Sequence, residues 1–525
     1  MADRKTYYVT TPIYYVNDSP HIGHAYTSLA CDALARFMRL DGYDVHFLTG
    51  TDEHGQKVEN KAKELGQDPQ AFTDEVSQRF RVLAEAMNFS NDDFIRTTER
   101  RHIESCQALW RRLKERGQLY LGSYSGWYAV RDEAYYQEDE LETRPDGKKV
   151  SKASGAEVAW VEEPSYFFQL SEWQQPLLDF YARNPDFIGP DSRRNEVISF
   201  VKSGLKDLSV SRTTFKWGVP IPDDADHIMY VWLDALINYI TAVGFPNMEQ
   251  EKYIKFWPAN LHMVGKDILR FHAVYWPAFL MAAGLEPPQR VFAHGWWTNE
   301  GQKISKSLGN VIDPHDLIVR YGLDQVRYFL LREVPFGNDG DFSHRAMVQR
   351  MNGDLANGYG NLAQRVLSMV NQYFEAKVPA HGVLTEADLN LLKQAHGLLA
   401  EVRPLMAAQL FHKALEAIWA VVGEANRYMD EQAPWKLRKT DLARAGTVLY
   451  VLAETIRHLA LLVQPLMPQS AAKILDQLAV DGDDRTFAAI GPEHALETGA
   501  DLPKPEGVFP RFVDDGALAQ GEPAA

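Results

Sequence analysis

Cysteine is nearly absent: Cys31 and Cys106 are the only two in 525 residues. They stand far apart and neither belongs to a Cys-x-x-Cys pair, which excludes a disulfide framework and leaves no thiolate metal site. No run of about 18 apolar residues occurs, and Met1 to Thr6 carries no apolar stretch of the signal-peptide kind. A soluble, cytoplasmic chain with no membrane partner is therefore expected. An excess of positive charge is missing too, since 55 Lys and Arg face 71 Asp and Glu for a formal net charge of -16. That argues against a nucleic-acid-coating surface but does not exclude a local patch. Arg193, Arg194, Lys202, Lys206, Arg212 and Lys216 form one candidate patch, and Arg345, Arg350 and Arg365 another. Large apolar side chains are plentiful, with 12 Trp, 23 Tyr and 25 Phe, and the chain is too long for one ordinary core, so two to four packed units are expected.

Residues 6–11 (Thr-Tyr-Tyr-Val-Thr-Thr) have the β-branched and aromatic make-up of a short buried strand, ended by Pro12. A helix opening at Pro20 carries Leu29, Ala33, Phe37 and Leu40 on one face and stops at Gly42. Val45-His46-Phe47-Leu48 reads as a second strand. Gly50-Thr51-Asp52-Glu53-His54-Gly55 reads as a polar loop at its carboxyl end, where α/β sheets place chemistry. Tyr120 to Lys216 changes character, with short aromatic strands, Pro-Asp-Gly and Asn-Pro-Asp turns and many charges, and reads as an insertion. Alternation resumes near His227: a helix over Tyr230 to Ala242, a strand Leu261 to Val264, a helix over Asp267 to Ala283 and a strand Val291 to His294. From about residue 351 strands vanish and apolar residues recur at helical spacing, as in Leu415, Ile418, Trp419 and Val422. The predicted fold class is α/β, a doubly wound Rossmann-like parallel sheet split by a mixed α+β insertion and followed by an all-α helical bundle. Its expected parts are residues 1–116 and 227–293 for the two sheet halves, 117–226 for the insertion, 294–350 for a loop-bearing connection, 351–490 for the bundle and 491–525 for a partly irregular tail.

Two short motifs carry the chemistry. Pro20 lacks an N–H and has φ preset, which suits a helix start, so Pro20-His21-Ile22-Gly23-His24 would lie where free amides and the helix dipole face outward. His21 and His24 add imidazole donors for phosphoryl oxygens, and Gly23 leaves room for a nucleotide ring. The second motif, Lys303-Ile304-Ser305-Lys306-Ser307, is bracketed by Gly301 and Gly309 after the last sheet strand. Its lysines can meet the charge that builds on a departing pyrophosphate. Each motif alone fits a bland reading, first-turn histidines or a solvated basic loop. Their placement after strands in opposite halves of one sheet points instead to nucleotidyl transfer.

These motifs resemble the HIGH and KMSKS signatures of the class I aminoacyl-tRNA synthetases. Thr11-Pro12-Ile13-Tyr14-Tyr15, Gly50 to Gly55, Tyr230-Val231-Trp232-Leu233-Asp234-Ala235-Leu236 and Gly265-Lys266-Asp267-Ile268-Leu269-Arg270-Phe271-His272 narrow the likeness to the methionyl-tRNA synthetases over roughly residues 6 to 470. The resemblance implies ATP with Mg2+, L-methionine and tRNA(Met), initiator tRNA included, as substrates. It implies catalytic roles for His21, His24, Lys303 and Lys306, with Gly23, Ser305 and Ser307 completing the ATP site. The implied methionine pocket takes a backbone N–H from Ile13 and a hydroxyl from Tyr239 toward the sulfur, and its walls from Ala235, Leu236, Ile268 and His272. The residues themselves offer Tyr14, Trp232, Tyr239, Phe271 and Trp276 as aromatic lining for a flexible apolar chain, and Tyr15 falls within the same segment. By the resemblance Asp52 pairs the α-ammonium. In the connection and bundle it implies stem contacts over 294–350 and anticodon reading by Asn357, Asn361, Arg365 and Trp435, an exposed Trp being suited to stack a splayed base.

The sequence departs from the family in the insertion, where Ala129 and Asp132 of Trp127-Tyr128-Ala129-Val130-Arg131-Asp132-Glu133 stand where a zinc-binding cysteine pair would fall. No structural zinc is expected. The longer relatives' C-terminal module is also lacking, so a monomer is expected. Another class I synthetase, a catalytically dead paralogue and a small-molecule nucleotidylyltransferase remain as rival readings.

Overall fold

The computed structural model describes residues 5–16, 19–304 and 310–513, with only the backbone described at Lys303. The chain divides into two compact units, one gathering residues 6–32 and 45–295, the other residues 33–44 and the chain from 296 onward.

The first unit is built on a sheet of seven strands: β1 (Thr6–Thr10), β2 (Tyr14–Tyr15), β3 (Asp44–Asp52), β4 (Asp93–Arg96), β5 (Ile188–Gly189), β6 (Leu261–Gly265) and β7 (Val291–His294). The order is β5-β7-β6-β1-β3, with β2 and β4 both pairing with β3. The recorded pairings are parallel. Tyr8, Val9, Phe47, Leu48, Met263 and Val264 are fully buried, which is why these strands read as continuous apolar runs rather than alternating ones. Sequence order runs outward from β1 to β3 and β4 on one side and resumes at β6 and β7 on the other. The strand order therefore reverses between β1 and β6, and the segments leaving their carboxyl ends face a common crevice.

β3 runs to Asp52, longer than the expected strand, because Gly50 and Thr51 pair with Ile95 and Arg96 of β4 while Thr51 and Asp52 pair with Tyr14 and Tyr15. The expected helix over Asp267 to Ala283 is a composite: a 3-10 turn at Lys266–Ile268, a π-helical stretch at Phe271–Tyr275 and an α-helix at Trp276–Ala282. Pro277 has no N–H for the carbonyl of Ala273, and the Tyr181 hydroxyl donates to that carbonyl at 2.5 Å. The helix expected over Tyr230 to Ala242 is likewise two short pieces, Val231–Leu236 and Asn238–Thr241.

Within the insertion, strands Leu119–Ala129 and Ala159–Phe168 form a long antiparallel hairpin, edged by Ala134–Tyr136 and Leu208–Ser209. β5, also inside the insertion, pairs with β7, so this segment extends the main sheet. Arg212, grouped above with a basic surface patch, is 1% exposed and packs against the rings of Tyr128, Tyr135 and Tyr230 at 4.4–5.4 Å. It belongs to the interior, not to a surface field.

In the second unit Trp297–Asn299 pairs with Gln302–Lys303 and with Gly340–Phe342. Helices follow, among them Asn361–Tyr373, Glu386–Ala407, Phe411–Gln432 and Leu442–Val463. Leu442–Val463 is long and apolar enough to cross a membrane by composition, yet its apolar window is wholly buried inside the protein. It is the central helix of the bundle, with Leu449, Leu452, Ile456 and Leu459 at 0% exposure.

Candidate active site

The chain leaving β1 passes Thr11 to Ile13, pairs as β2 along the end of β3, and enters a helix at Ile22–Leu40. Pro20 stands just outside that helix. Its first amides are capped by the motif's own histidines: the His21 N–H donates to His24 Nδ1 at 3.0 Å and the Gly23 N–H to His21 Nδ1 at 3.1 Å. Both rings thus accept at Nδ1, which places a proton on Nε2 and leaves each a donor while neutral. Burial, then the neighbouring His21, holds the His24 imidazole well below its ordinary pKa, and burial lowers that of His21. The ring centroids lie 3.9 Å apart, and a Cβ at Gly23 would stand 2.9 Å from the His21 ring. Tyr14 is tied to this turn, its hydroxyl donating to the His24 carbonyl at 3.1 Å and sharing a 2.7 Å bond with Ser28. From the far half of the sheet, His294 meets Thr27 at 2.7 Å.

Asp52 ends β3 at 6% exposure, and its Oδ1 has no hydrogen-bond partner. Burial first, then the charges of Asp234 and Glu133, raise its pKa well above the ordinary carboxylate value, against a backbone bond from His54. An uncompensated buried carboxylate is costly, and a cation delivered to it recovers much of that cost. Asp234 next to it is differently placed, with His54 Nδ1 at 2.6 Å from one oxygen and His102 Nε2 at 2.7 Å from the other. Burial would raise the Asp234 pKa, but the two histidines overcome this and hold its carboxyl well below the usual range. Cys106 Sγ lies 3.2 Å from His102 Nε2, so one of the two cysteines is spent in this closed network. Trp217 fastens the loop after Asp52, donating from its indole to the Glu53 carbonyl at 2.6 Å and accepting from the Gly55 N–H at 3.0 Å.

Ile13, Tyr15, Trp232, Ile268, Leu236, Tyr239 and Trp276 pack in the same apolar cluster. Trp232 and Phe271 are stacked at 3.7 Å, nearly parallel, and Ala235 is buried in the short helix that carries Trp232. The Tyr239 hydroxyl lies 2.7 Å from His272 Nε2, and His272 Nδ1 lies 2.9 Å from the Ile268 carbonyl. A carbonyl only accepts, so Nδ1 carries the ring proton and Tyr239 donates to Nε2. Burial lowers His272 to a pKa of about 4, which keeps it neutral and the pocket free of positive charge. Trp276 is fully buried, its indole donating to His262 Nε2 at 3.3 Å, with Tyr239 stacked on His262 at 4.0 Å. It lies in the layer that backs Tyr239.

Ser305, Lys306 and Ser307 lie outside the described residues, as does the Lys303 side chain. Among the described residues on either side, Gln302–Lys303 is a strand, and Asn299 Nδ2 donates to the Asn310 carbonyl at 3.0 Å.

In the second unit Asn357 and Asn361 are exposed on consecutive turns, but the helix they share is not uniform. Arg350–Gly360 is π-helical and Asn361 begins the α-helical part. Trp419 and Asn426 of the adjacent helix donate to the carbonyls of Asp354 and Gly358, taking acceptors that a wider turn releases. The Arg365 guanidinium lies 5.1 Å over the Trp435 ring, and Gln364, Ser368 and Met369 join them around a shallow pocket of about 340 Å3.

No motif marks His54, His102, Asp234 or Glu133 individually in the sequence: His54 and Asp234 lie inside segments that carry the family resemblance, and Glu133 lies in the stretch where a zinc-binding cysteine pair would fall.

Comparison with known proteins matches this chain to two families: tRNA synthetases class I (M) over residues 7–367, and the anticodon binding domain of methionyl tRNA ligase over residues 378–520. The methionine–tRNA ligases of Brucella suis biovar 1 and Rhizobium meliloti are 58% and 57% identical over 97% and 98% of this chain and 99% of their own. A solved structure of Mycobacterium tuberculosis methionyl-tRNA synthetase in complex with methionyl-adenylate is 55% identical, with a TM-score of 0.95 over 97% of this chain and 100% of that one. With its parallel sheet reversing between β1 and β6, its paired histidines on the crevice and its helical second unit, the chain belongs to the methionyl-tRNA synthetase family of class I aminoacyl-tRNA synthetases.

Proposed function

We infer that the chain joins L-methionine to tRNA(Met), initiator tRNA included, in two steps. ATP and methionine first give methionyl-adenylate and pyrophosphate, and the methionyl group then passes to the 3'-terminal adenosine. The observation that carries this reading is Asp52: a buried carboxylate oxygen without a partner, beside an uncharged aromatic pocket. That pairing suits a substrate with one cationic group and one flexible apolar chain. In this reading Asp52 takes the α-ammonium. Ile13, Tyr15, Trp232, Ala235, Leu236, Tyr239, Ile268, Phe271 and His272 enclose the side chain, Tyr14 fixes the histidine turn, and Trp276 backs Tyr239. The Nε2–H groups of His21 and His24 bind the triphosphate of ATP, which enters with Mg2+, with Gly23 giving the nucleotide room. Lys303, Ser305, Lys306 and Ser307 meet the leaving pyrophosphate from the other motif. Residues 117–226 act as the connective insertion, 294–350 contact the tRNA stem, and Asn357, Asn361, Arg365 and Trp435 of 351–490 read the anticodon. The enzyme works as a cytoplasmic monomer.

Pyrophosphate exchange with each of the twenty amino acids tests this. Methionine alone should support exchange, and exchange with several amino acids, or with none, refutes the reading. The insertion is proposed to be free of zinc. The turn where a cysteine pair would fall is organised instead by Asp132, which accepts from the hydroxyls of Tyr136 and Ser154. Elemental analysis finding one zinc per chain overturns that proposal.

A further inference from the structure

One acidic side chain of the insertion, Glu133, reaches the segment that pairs with Asp52. Glu133 sits in the turn between strands Leu119–Ala129 and Ala134–Tyr136 with φ at +47°, a conformation that non-glycine residues rarely adopt. It is 5% exposed. Its Oε1 accepts from the Tyr15 hydroxyl at 2.6 Å and from the Lys57 N–H at 3.2 Å, and its carbonyl accepts from the Tyr230 hydroxyl at 2.8 Å. The approach is built into the facing loop as well. Gly55 has φ +108°, and a Cβ there would stand 2.5 Å from Glu133 Oε1 and 2.7 Å from the Tyr15 hydroxyl. Tyr15 is the register partner of Asp52. The Lys57 ammonium points to the Arg131 carbonyl at 3.4 Å, and among the described residues no cation is in ion-pair contact with the Glu133 carboxylate. The turn therefore spends backbone strain to place a second negative charge, uncompensated at contact range, behind the residue paired with Asp52.

We propose that Glu133 is a positioning and specificity residue for the amino-acid substrate: it fixes Tyr15 beside Asp52 and adds to the negative potential that selects a ligand carrying an ammonium group. This rests on the reading of Asp52 as the ammonium partner. Burial pushes the Glu133 carboxyl up to about 7 even though Tyr15, Lys57 and Arg212 draw it down. Glu133 also contributes to the raised pKa of Asp52, so the two groups feel each other. A cation bound at Asp52 stabilises both ionised forms.

Glu133→Gln tests the proposal in the full-length enzyme, since the amide oxygen still accepts from Tyr15 and only the charge is lost. The KM for methionine in pyrophosphate exchange should rise about tenfold, the effect of one screened charge a short distance behind the first contact. kcat and the KM for ATP should stay within about twofold. The inhibition constant of 4-(methylthio)butanoic acid, which has the same chain without the amino group, should not change. A methionine KM like the wild type's overturns the proposal, and so does an equal rise for methionine and the des-amino analogue, which marks a merely structural role. Asp52→Asn measured alongside separates the two readings. If it weakens methionine binding while Glu133→Gln does not, only the Glu133 proposal falls; if it leaves binding intact, the ammonium site itself is misplaced.

Discussion

Replacing Asp52 with Asn should make the protein less active and more stable, because its carboxylate is buried, has one oxygen without a partner and is repelled by Asp234 and Glu133. On the activity side, a unit charge pair at contact distance is worth about 4 kcal/mol at the effective dielectric of a protein site. Removing one member of a buried pair costs about 2 to 5 kcal/mol. At about 1.4 kcal/mol per factor of ten, the loss in kcat/KM for methionine is about 30-fold to about 4,000-fold. On the stability side, the folded-state pKa of Asp52 is raised, so the folded protein holds this proton more tightly than the unfolded chain does. The acid form is neutral and is tolerated at low pH. As pH rises through the unfolded value near 4 and toward the folded one, the ionised carboxylate progressively destabilises the fold. The amide never ionises, so the variant should melt above the wild type at neutral pH, and the gap should close toward pH 4. Pyrophosphate exchange and thermal unfolding at several pH values provide the two readouts. Lost activity with a lower melting temperature would mean that Asp52 holds the structure together, and the reasoning from its missing partner would be wrong.

His24→Ala should lower kcat for exchange by about 100-fold, the worth of one aimed donor at developing charge. Methionine binding, followed by the fluorescence of tryptophans such as Trp232, should hardly change; equal losses in binding would assign the ring to folding instead. Trp435→Ala should leave exchange intact and cut kcat/KM for tRNA charging by about 5- to 150-fold, since stacking one base is worth about 1 to 3 kcal/mol. Unimpaired charging would remove Trp435 from the tRNA surface. Asp234→Asn should destabilise the first unit by about 3 to 5 kcal/mol at pH 7, because the amide keeps only one acceptor oxygen for His54 and His102 where the carboxylate gives one to each, and the buried charge that faces them is lost. The Asp234 pKa is depressed in the fold, so this stabilisation is present above the unfolded value near 4 and is lost as pH falls through the lower folded one; a deficit in melting temperature that does not narrow on acidification below pH 4 would contradict this.

Much of the fold was legible because its signals are local. Strand Val291–His294 coincides with its apolar run, and the bundle positions Leu449, Leu452, Ile456 and Leu459 repeat at helical spacing and are all fully buried. The failures are equally specific. β3 outruns its apolar stretch: Gly50 and Thr51 look like loop residues, and β2 and β4 on either side make them strand. The break in the helix at Phe271–Tyr275 depends on Tyr181, far away in sequence, reaching the carbonyl that Pro277 leaves open. Arg212 looked like a surface cation because periodicity does not show three tyrosine rings closing over it.

By itself the sequence determined the order of elements, the histidine motif at the start of the helix Ile22–Leu40 and the aromatic character of the pocket, because residue type and spacing fix backbone preference and burial along a short stretch of chain. Which of the clustered carboxylates is free to receive a cation was decided only by tertiary structure. Asp52, Asp234 and Glu133 are chemically alike as letters, yet Asp234 is held by two histidines, Glu133 by a tyrosine hydroxyl and a backbone amide, and Asp52 keeps an oxygen with no partner. The strength of a charge depends on what surrounds it in space, and those partners come from segments as far apart as residues 15, 54, 102 and 133.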